Sequence, residues 1–248
     1  MQIQNGPKPG LSGEQRALRE IQLFFLCKVY GKRSSLVFKG GTALDIFYGS
    51  GRFSEDLDFV CRDLGGLAEI DDVIGSLGKD SAHAVFNDWA REREMHKGFT
   101  RYVLRISSRD SDSLIDLAID YTVDAPKYEP DRLPLKCGKS LVSASIMQER
   151  EILAEKASAI MSREKARDLY DLYFLAVVKR VPVNIKDVYE KSAKGFAGNK
   201  TEYSFPLFRE RVMALKPRWK ELKPLLGNAE PYDFDDVASS ILDIFRSL

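Results

Sequence analysis

Histidine is almost absent from this chain. Of 248 residues only His83 and His96 are histidines, and neither stands in a motif. Histidine-based catalysis is therefore a poor expectation, and carboxylate and metal chemistry is a better one. Cysteine is scarce too. Cys27, Cys61 and Cys137 are isolated and odd in number, which fits neither a disulfide framework nor a zinc site and suits a reducing cytoplasm. Neither sign of charge is in excess: the formal net charge of +1 argues against a strongly basic nucleic-acid binder, while leaving room for a local basic patch. No uncharged apolar run approaches the length of a bilayer span, and Met1 to Gly10 lacks the apolar core of a signal peptide, so no membrane is expected as a partner. There is no internal repeat and no low-complexity segment.

What is present suits a soluble globular protein. Hydrophobic residues make up 44% and charged residues 30%, and the length allows one large domain or two modest ones, each with a proper core. The chemistry concentrates in Phe38-Lys39-Gly40-Gly41-Thr42-Ala43-Leu44 and the following Arg52-Phe53-Ser54-Glu55-Asp56-Leu57-Asp58-Phe59. Two glycines and a hydroxyl follow the apolar run Leu36-Val37-Phe38 and precede a helix-like segment, a context in which backbone N–H groups can meet phosphate oxygens. Asp56 and Asp58 flank one apolar residue, so in a strand their carboxylates project from the same face. Side by side they repel unless a cation lies between them, and Mg²⁺ is the hard, oxygen-seeking ion that suits carboxylates beside phosphates. Taken singly, Gly-Gly-Thr is an ordinary strand-to-helix turn and Asp-x-Asp a common solvated strand edge.

In this order the two stretches resemble the signature of the nucleotidyltransferase superfamily. The fuller string Phe38-Lys39-Gly40-Gly41-Thr42-Ala43-Leu44, Tyr48, Arg52-x-Ser54-x-Asp56-Leu57-Asp58 resembles the AbiEii/MenT branch, the toxins of bacterial toxin-antitoxin systems. The resemblance implies an α+β fold: a nucleotidyltransferase-like mixed β-sheet flanked by helices over residues 1–140, followed by a helical domain over 141–248 that completes the active site. It also implies Mg²⁺ on Asp56, Asp58 and a third carboxylate, with the nucleotide held by Lys39, Gly40, Gly41, Thr42 and Ser54. NTP is the implied substrate, the 3′ end of tRNA an acceptor, and an antitoxin the protein partner.

Along the chain, Ser12-Gly13-Glu14-Gln15 reads as a capping box opening a helix that ends near Gly31. Leu36–Phe38 and Leu57–Cys61 read as strands, Thr42–Tyr48 and Leu67–Leu77 as helices. Ala82–Trp89 is ambiguous between strand and helix, and Arg91 to Glu94 reads as a solvated face. Tyr102–Ile106 and Leu114–Asp120 read as a hairpin joined by the polar Ser107–Ser113. Its second strand offers the third carboxylate. Asp116 fits the family's pattern, Asp120 faces the same way four residues on, and an aspartate that merely ends an edge strand stays open. Thr122–Ser140, with Pro126, Pro130, Pro134 and Gly138, reads as a proline-broken connection between two halves. Ser145-Ile146-Met147-Gln148 reads as a second capping box.

Lys156 falls on the apolar face of the helix that follows, where a lysine needs a partner. Asp168 and Asp171, which share a face of the next helix, are candidates for an ion pair that pins the two helices. The string Glu155-Lys156 followed by Arg167-Asp168-Leu169-Tyr170-Asp171-Leu172 also resembles the second motif of the AbiEii/MenT family. By that resemblance Lys156 and Arg167 face the nucleotide, and Asp168 or Asp171 is an active-site residue. In the tail, short helices are expected at Ile185–Lys194 and Leu207–Leu215 and an amphipathic one at Asp235–Phe245. From Lys191 to Lys223 nine lysines and arginines stand against three glutamates, among Tyr203, Phe205, Phe208 and Trp219. That mixture suits either an RNA backbone with stacked bases or the solvated faces of amphipathic helices. Three functions compete: a nucleotidyltransferase acting on RNA, the same chemistry on a small molecule or protein, and a nucleotide-binding module without catalysis.

Overall fold

The computed structural model describes residues 10–77, 86–96, 99–108, 114–194 and 201–248. The chain divides into two compact units, one formed by Met1–Gly49 and Phe53–Met147, the other by Ser50–Arg52 and Gln148–Leu248.

The first unit is built on a seven-stranded sheet. Its strands are β1 (Val37–Lys39), β2 (Leu57–Cys61), β3 (Phe86–His96), β4 (Phe99–Ser108), β5 (Leu114–Val123), β6 (Asp131–Cys137) and β7 (Ser140–Ile146), in the spatial order β3-β4-β5-β2-β1-β7-β6. The pairing is mixed: β2–β5 and β1–β7 run parallel, the rest antiparallel. The strand expected at Leu114–Asp120 is present within β5, with Ile115, Leu117, Ile119 and Tyr121 buried and Asp116 and Asp120 on the other face. Helix α1 (Gly13–Tyr30) and α3 (Gly65–Leu77) cover the apolar face. Phe25, Leu26, Phe38, Phe59 and Ile70 are almost fully buried there, each stabilising the fold by about 1.5–3 kcal/mol. The Ser12–Gln15 capping box forms as expected, each side chain bonding the other residue's backbone N–H.

Three expectations are corrected here. Thr122–Ser140 is no linker, because Asp131–Cys137 forms edge strand β6 and pairs with β7. Pro134 is tolerated because an edge strand needs only one row of donors. Ser145 caps no helix. It lies in β7, Ile146 pairs with Phe38 of β1, and α4 starts at Glu149 behind Gln148, which makes no side-chain cap. The cysteines are the third case: Cys27 of α1 and Cys137 at the end of β6, 110 residues apart, are joined by a disulfide, and Cys61 is a buried free thiol. The ambiguity over Ala82–Trp89 falls partly outside the described residues, which resume in strand β3. Of the expected hairpin turn, residues 109–113 lie outside them as well.

The second unit is helical: α4 (Glu149–Ser162), α5 (Ala166–Tyr173, extended by a wider turn over Phe174–Val178), α6 (Ile185–Lys194), α7 (Phe205–Ala214), a 3₁₀ stretch (Lys216–Leu225) and α8 (Phe234–Arg246). Asp233 caps α8 by accepting from the N–H groups of Asp235 and Asp236. Phe208 stacks on Phe245 at 4.5 Å, and the Trp219 indole donates to the Tyr232 carbonyl at 2.7 Å. Tyr203, Phe208 and Trp219 are thus core residues, 5%, 0% and 7% exposed. These three are no stacking platform, while Phe205 of the same set is half-buried with Arg246 over its ring. No described helix is long and apolar enough to cross a membrane.

Candidate active site

In the first unit the site grows from the end of β1. Strand gives way to helix at Gly40, where φ is +76° and a Cβ would collide with the Asp58 carboxylate. A glycine is required on both counts, and it lets the backbone lie against the acidic pair. The short helix α2 (Gly40–Ala43) runs on as a wider turn, Leu44–Tyr48, that ends at the left-handed Gly49. Thr42 is fully buried, and its hydroxyl donates to the Asp56 carbonyl at 2.5 Å. Gln22 of α1 donates to the carbonyls of Ser54 and Glu55 at 3.0 and 2.7 Å. Arg19 of the same helix pairs with Asp45 and lies over the Phe53 ring. The segment that carries the two aspartates is therefore clamped from both sides. Ser54 is buried, and Thr42 acts on the backbone of Asp56.

Sheet register then places the charges. Lys39 pairs with Asp58, Asp58 with Asp120, Asp120 with Arg101 and Arg101 with Glu94. Registered neighbours present side chains on one face, so these five form a single row across five strands. Asp120, rather than Asp116, stands beside Asp58. Asp116 lies four residues back along β5, about 13 Å away at a strand's rise, half exposed and bonded to Arg105 at 3.1 Å. Arg101 grips Asp120 with two bonds of 2.7 Å. The hydrogen bond to Asp120, reinforced by the charges of Asp120, Asp56 and Asp58, raises the Arg101 guanidinium above its ordinary value.

No three His, Cys, Asp or Glu side chains among the described residues already converge as a closed metal site. The donor chemistry still fits Mg²⁺, which binds through one or two carboxylates, substrate phosphates and water rather than in an all-protein cage. Asp56, Asp58 and Asp120 supply hard oxygens, and the Gly40 turn leaves backbone room beside them.

The second unit holds the other motif as a buried chain of charges. Lys156 of α4 lies 3.0 Å from Asp168 and 2.8 Å from Asp171, both on α5. Arg163 bonds Asp168 at 2.7 and 2.9 Å, and Arg52 bonds Asp171 twice at 2.6 Å. The helix-pinning pair weighed for Lys156 is present and larger than a pair. Burial alone would raise both carboxyls. The charges of Lys156 and Arg163 on Asp168, and of Arg52 and Lys156 on Asp171, outweigh it and hold both below the usual carboxylate range. Burial likewise works against the Arg52 cation, and Asp171 more than offsets it. Arg167 is half-buried on α5. Sequence reasoning assigned no role to Arg52, Arg163 or Arg101. Arg52 stood inside the first motif, and a buried carboxylate pair beside one lysine called for further cations.

The family model described as Nucleotidyl transferase AbiEii toxin, Type IV TA system, matches residues 25–240. No curated protein matches the sequence. Among solved structures, MenT4, a nucleotidyltransferase toxin of Mycobacterium tuberculosis, is similar with a TM-score of 0.70 at 20% identity, over 94% of this chain and 84% of that one. JHP933 from Helicobacter pylori gives 0.61 at 23% identity over 96% and 92%. A putative nucleotidyltransferase from H. pylori gives 0.60 at 22% over 96% and 95%. At these identities the structures establish a shared fold. The family match spans most of the chain, which belongs to the AbiEii nucleotidyltransferase toxin family.

Proposed function

We propose that this nucleotidyltransferase moves a nucleotidyl group from an NTP to RNA, at the 3′ end of tRNA, in a Mg²⁺-dependent reaction. An antitoxin restrains it in the bacterial cytoplasm, a location that rests on the family's description as toxins, since the Cys27–Cys137 disulfide removes the support that unpaired cysteines gave it. The observation that carries the reading is the placement of Asp58 beside Asp120 on parallel strands, with Asp56 two residues earlier and the Gly40 turn against them. Asp56, Asp58 and Asp120 would hold the metal, which when bound supplies neutralisation of the charge that develops at phosphorus. Asp120 replaces Asp116 as the third carboxylate in this reading and would be the group to take the proton of the attacking hydroxyl. Backbone N–H groups of Gly40 and Gly41, with Lys39, offer positive ends to the phosphates.

Lys156, Asp168, Asp171 and Arg167 enter through the family's second motif. The buried chain Arg52, Asp171, Lys156, Asp168 and Arg163 counts three cations against two anions. Lys156 is the member shared by both carboxylates. An antitoxin and an RNA acceptor rest on the family's description as toxins and on the exposed Arg209, Arg218 and Lys220.

Radiolabelled NTPs offered with Mg²⁺ to mixtures of total RNA, total protein and aminoglycosides test the reading. Label in the tRNA band, lost in Asp58→Asn, is the expected result. Label confined to the protein or aminoglycoside pool would overturn the RNA acceptor, and turnover unaffected by Asp58→Asn would overturn the site.

A further inference from the structure

Arg101 and Glu94 are the members of the charged row that the proposed chemistry does not use, and Arg101 is the one bonded to a proposed metal-holding carboxylate. It stands on β4 directly across from Asp120, and its guanidinium occupies both carboxylate oxygens of that residue at 2.7 Å. An arginine fork takes one lone pair on each oxygen and sets a unit positive charge against the carboxylate, so a metal must reach the remaining lone pairs against that charge. The geometry is deliberate in one respect. Asp116, four residues earlier on the same face, is paired with Arg105 in the same cross-strand manner at 3.1 and 3.4 Å. The pair at the carboxylates is shorter at both contacts and less exposed, with the Asp120 side chain 13% accessible against 52% for Asp116. The field of Asp56 and Asp58 also reaches Arg101, so one guanidinium serves the whole acidic group.

We propose that Arg101 is an internal counter-cation that competes with divalent metal for Asp120, so that the free enzyme binds metal weakly and the metal enters together with the NTP. The inference rests on the reading of Asp58 and Asp120 as metal-holding residues. Three carboxylates crowded on one sheet face repel one another. In the absence of nucleotide Arg101 offsets that repulsion and keeps the site from gathering a cation of its own. An incoming Mg²⁺-triphosphate brings both the metal for Asp120 and an anion for the displaced guanidinium. Arginine suits the exchange because its planar fork matches carboxylate and phosphate equally well, a match that lysine lacks. Arg101 is thus a positioning residue that sets the order in which the site fills.

The test is Mn²⁺ binding to the full chain, read by the loss of the free-ion electron paramagnetic resonance signal, with and without a non-hydrolysable NTP. Arg101→Gln should bind Mn²⁺ alone about tenfold more tightly than the parent, since a competing unit charge at the ligand is gone. With nucleotide present the gap should shrink to about twofold, because the parent's arginine then has the phosphate as partner. Arg101→Lys, which keeps the charge and loses the fork, should fall between them. Unchanged Mn²⁺ affinity in Arg101→Gln, with binding still weakened by Asp58→Asn, would overturn the counter-cation and leave the metal site standing. Mn²⁺ binding indifferent to both Asp58→Asn and Asp120→Asn would overturn the metal site itself and the inference with it.

Discussion

Asp120 stands beside Asp58 on the neighbouring parallel strand, in register and on the same face of the sheet. Strands in such a pair lie about 4.8 Å apart, which is within reach of a shared cation. Asp116 lacks this relation: it sits farther along β5, exposed, with Arg105 across from it. Asp120→Asn should therefore lower kcat/KM for NTP at least about 100-fold, the scale at which loss even of supporting groups affects a metal site. Asp116→Asn should stay within about twofold, as an exposed pair contributes little. Steady-state kinetics on the two variants decide, and the opposite ranking would return the third-carboxylate role to Asp116.

Gly40 and Gly49 share a φ of +76°, and only at Gly40 would a Cβ meet anything, namely the Asp58 carboxylate. Gly49→Ala should cost about 1–2 kcal/mol, the penalty of left-handed backbone, and leave turnover intact. Gly40→Ala carries the same backbone penalty and also displaces Asp58, so its activity should fall more than about tenfold. Urea titration and turnover measured side by side separate the two effects, and equal activity losses in the two variants would refute the close approach.

How far the sequence was legible depended on the range over which each feature is determined. The Ser12–Gln15 box forms because all its partners lie within one turn. The same pattern at Ser145 fails because strand pairing of Ile146 with Phe38 wins over a local cap. That Asp116 and Asp120 share a face of one strand was readable from their spacing, and for that reason the choice between them needed the β2–β5 register. Arg52 and Asp171 meet across 119 residues, and Cys27 and Cys137 across 110. No periodicity or spacing signals contacts at that distance. Arg101 is an intermediate case, since a hairpin with known turn length would have aligned it with Asp120.

The buried chain of charges in the helical unit should rank its members by what each loss leaves behind. Asp171→Asn strands Arg52, 1% exposed, without its anion, and should cost about 3–5 kcal/mol. Lys156→Met leaves Asp168 with Arg163 and Asp171 with Arg52, so about 1–2 kcal/mol is expected. Asp168 and Asp171 are held below the ordinary range when folded, so the unfolded chain takes up protons first on acidification. Their stabilisation is complete above about pH 4 and is lost as pH falls below it. At the alkaline end the Tyr170 phenol is pushed up to about 12 by burial, then by Tyr232 and Asp171. Its share is therefore full below about pH 10 and lost as pH rises through the folded value. Urea midpoints from pH 2.5 to 11 measure both limbs, and a flat acid limb in the parent chain would contradict the pairing.

The last prediction concerns where RNA docks. With Tyr203, Phe208 and Trp219 committed to the core, charge is what the tail chiefly has to offer an RNA backbone. Arg209 and Lys220 are exposed, while Arg211 and Arg218 share Glu164 at 3.9 and 3.5 Å, exposed pairs that an incoming phosphate can outcompete. Neutralising Arg209, Arg211, Arg218 and Lys220 to Gln should raise KM for tRNA and flatten its salt dependence, each lost phosphate contact removing about 0.7–0.9 from the log-log slope. The KM for NTP should not move, because none of the four is among the residues proposed to hold the nucleotide or the metal. Because the four substitutions remove charge and no aromatic ring, the effect should be almost wholly electrostatic and should vanish at high salt, where parent and variant converge. A difference that persists at high salt would point to lost packing in the helical unit instead. An unchanged slope with tRNA turnover preserved would place the acceptor on another face.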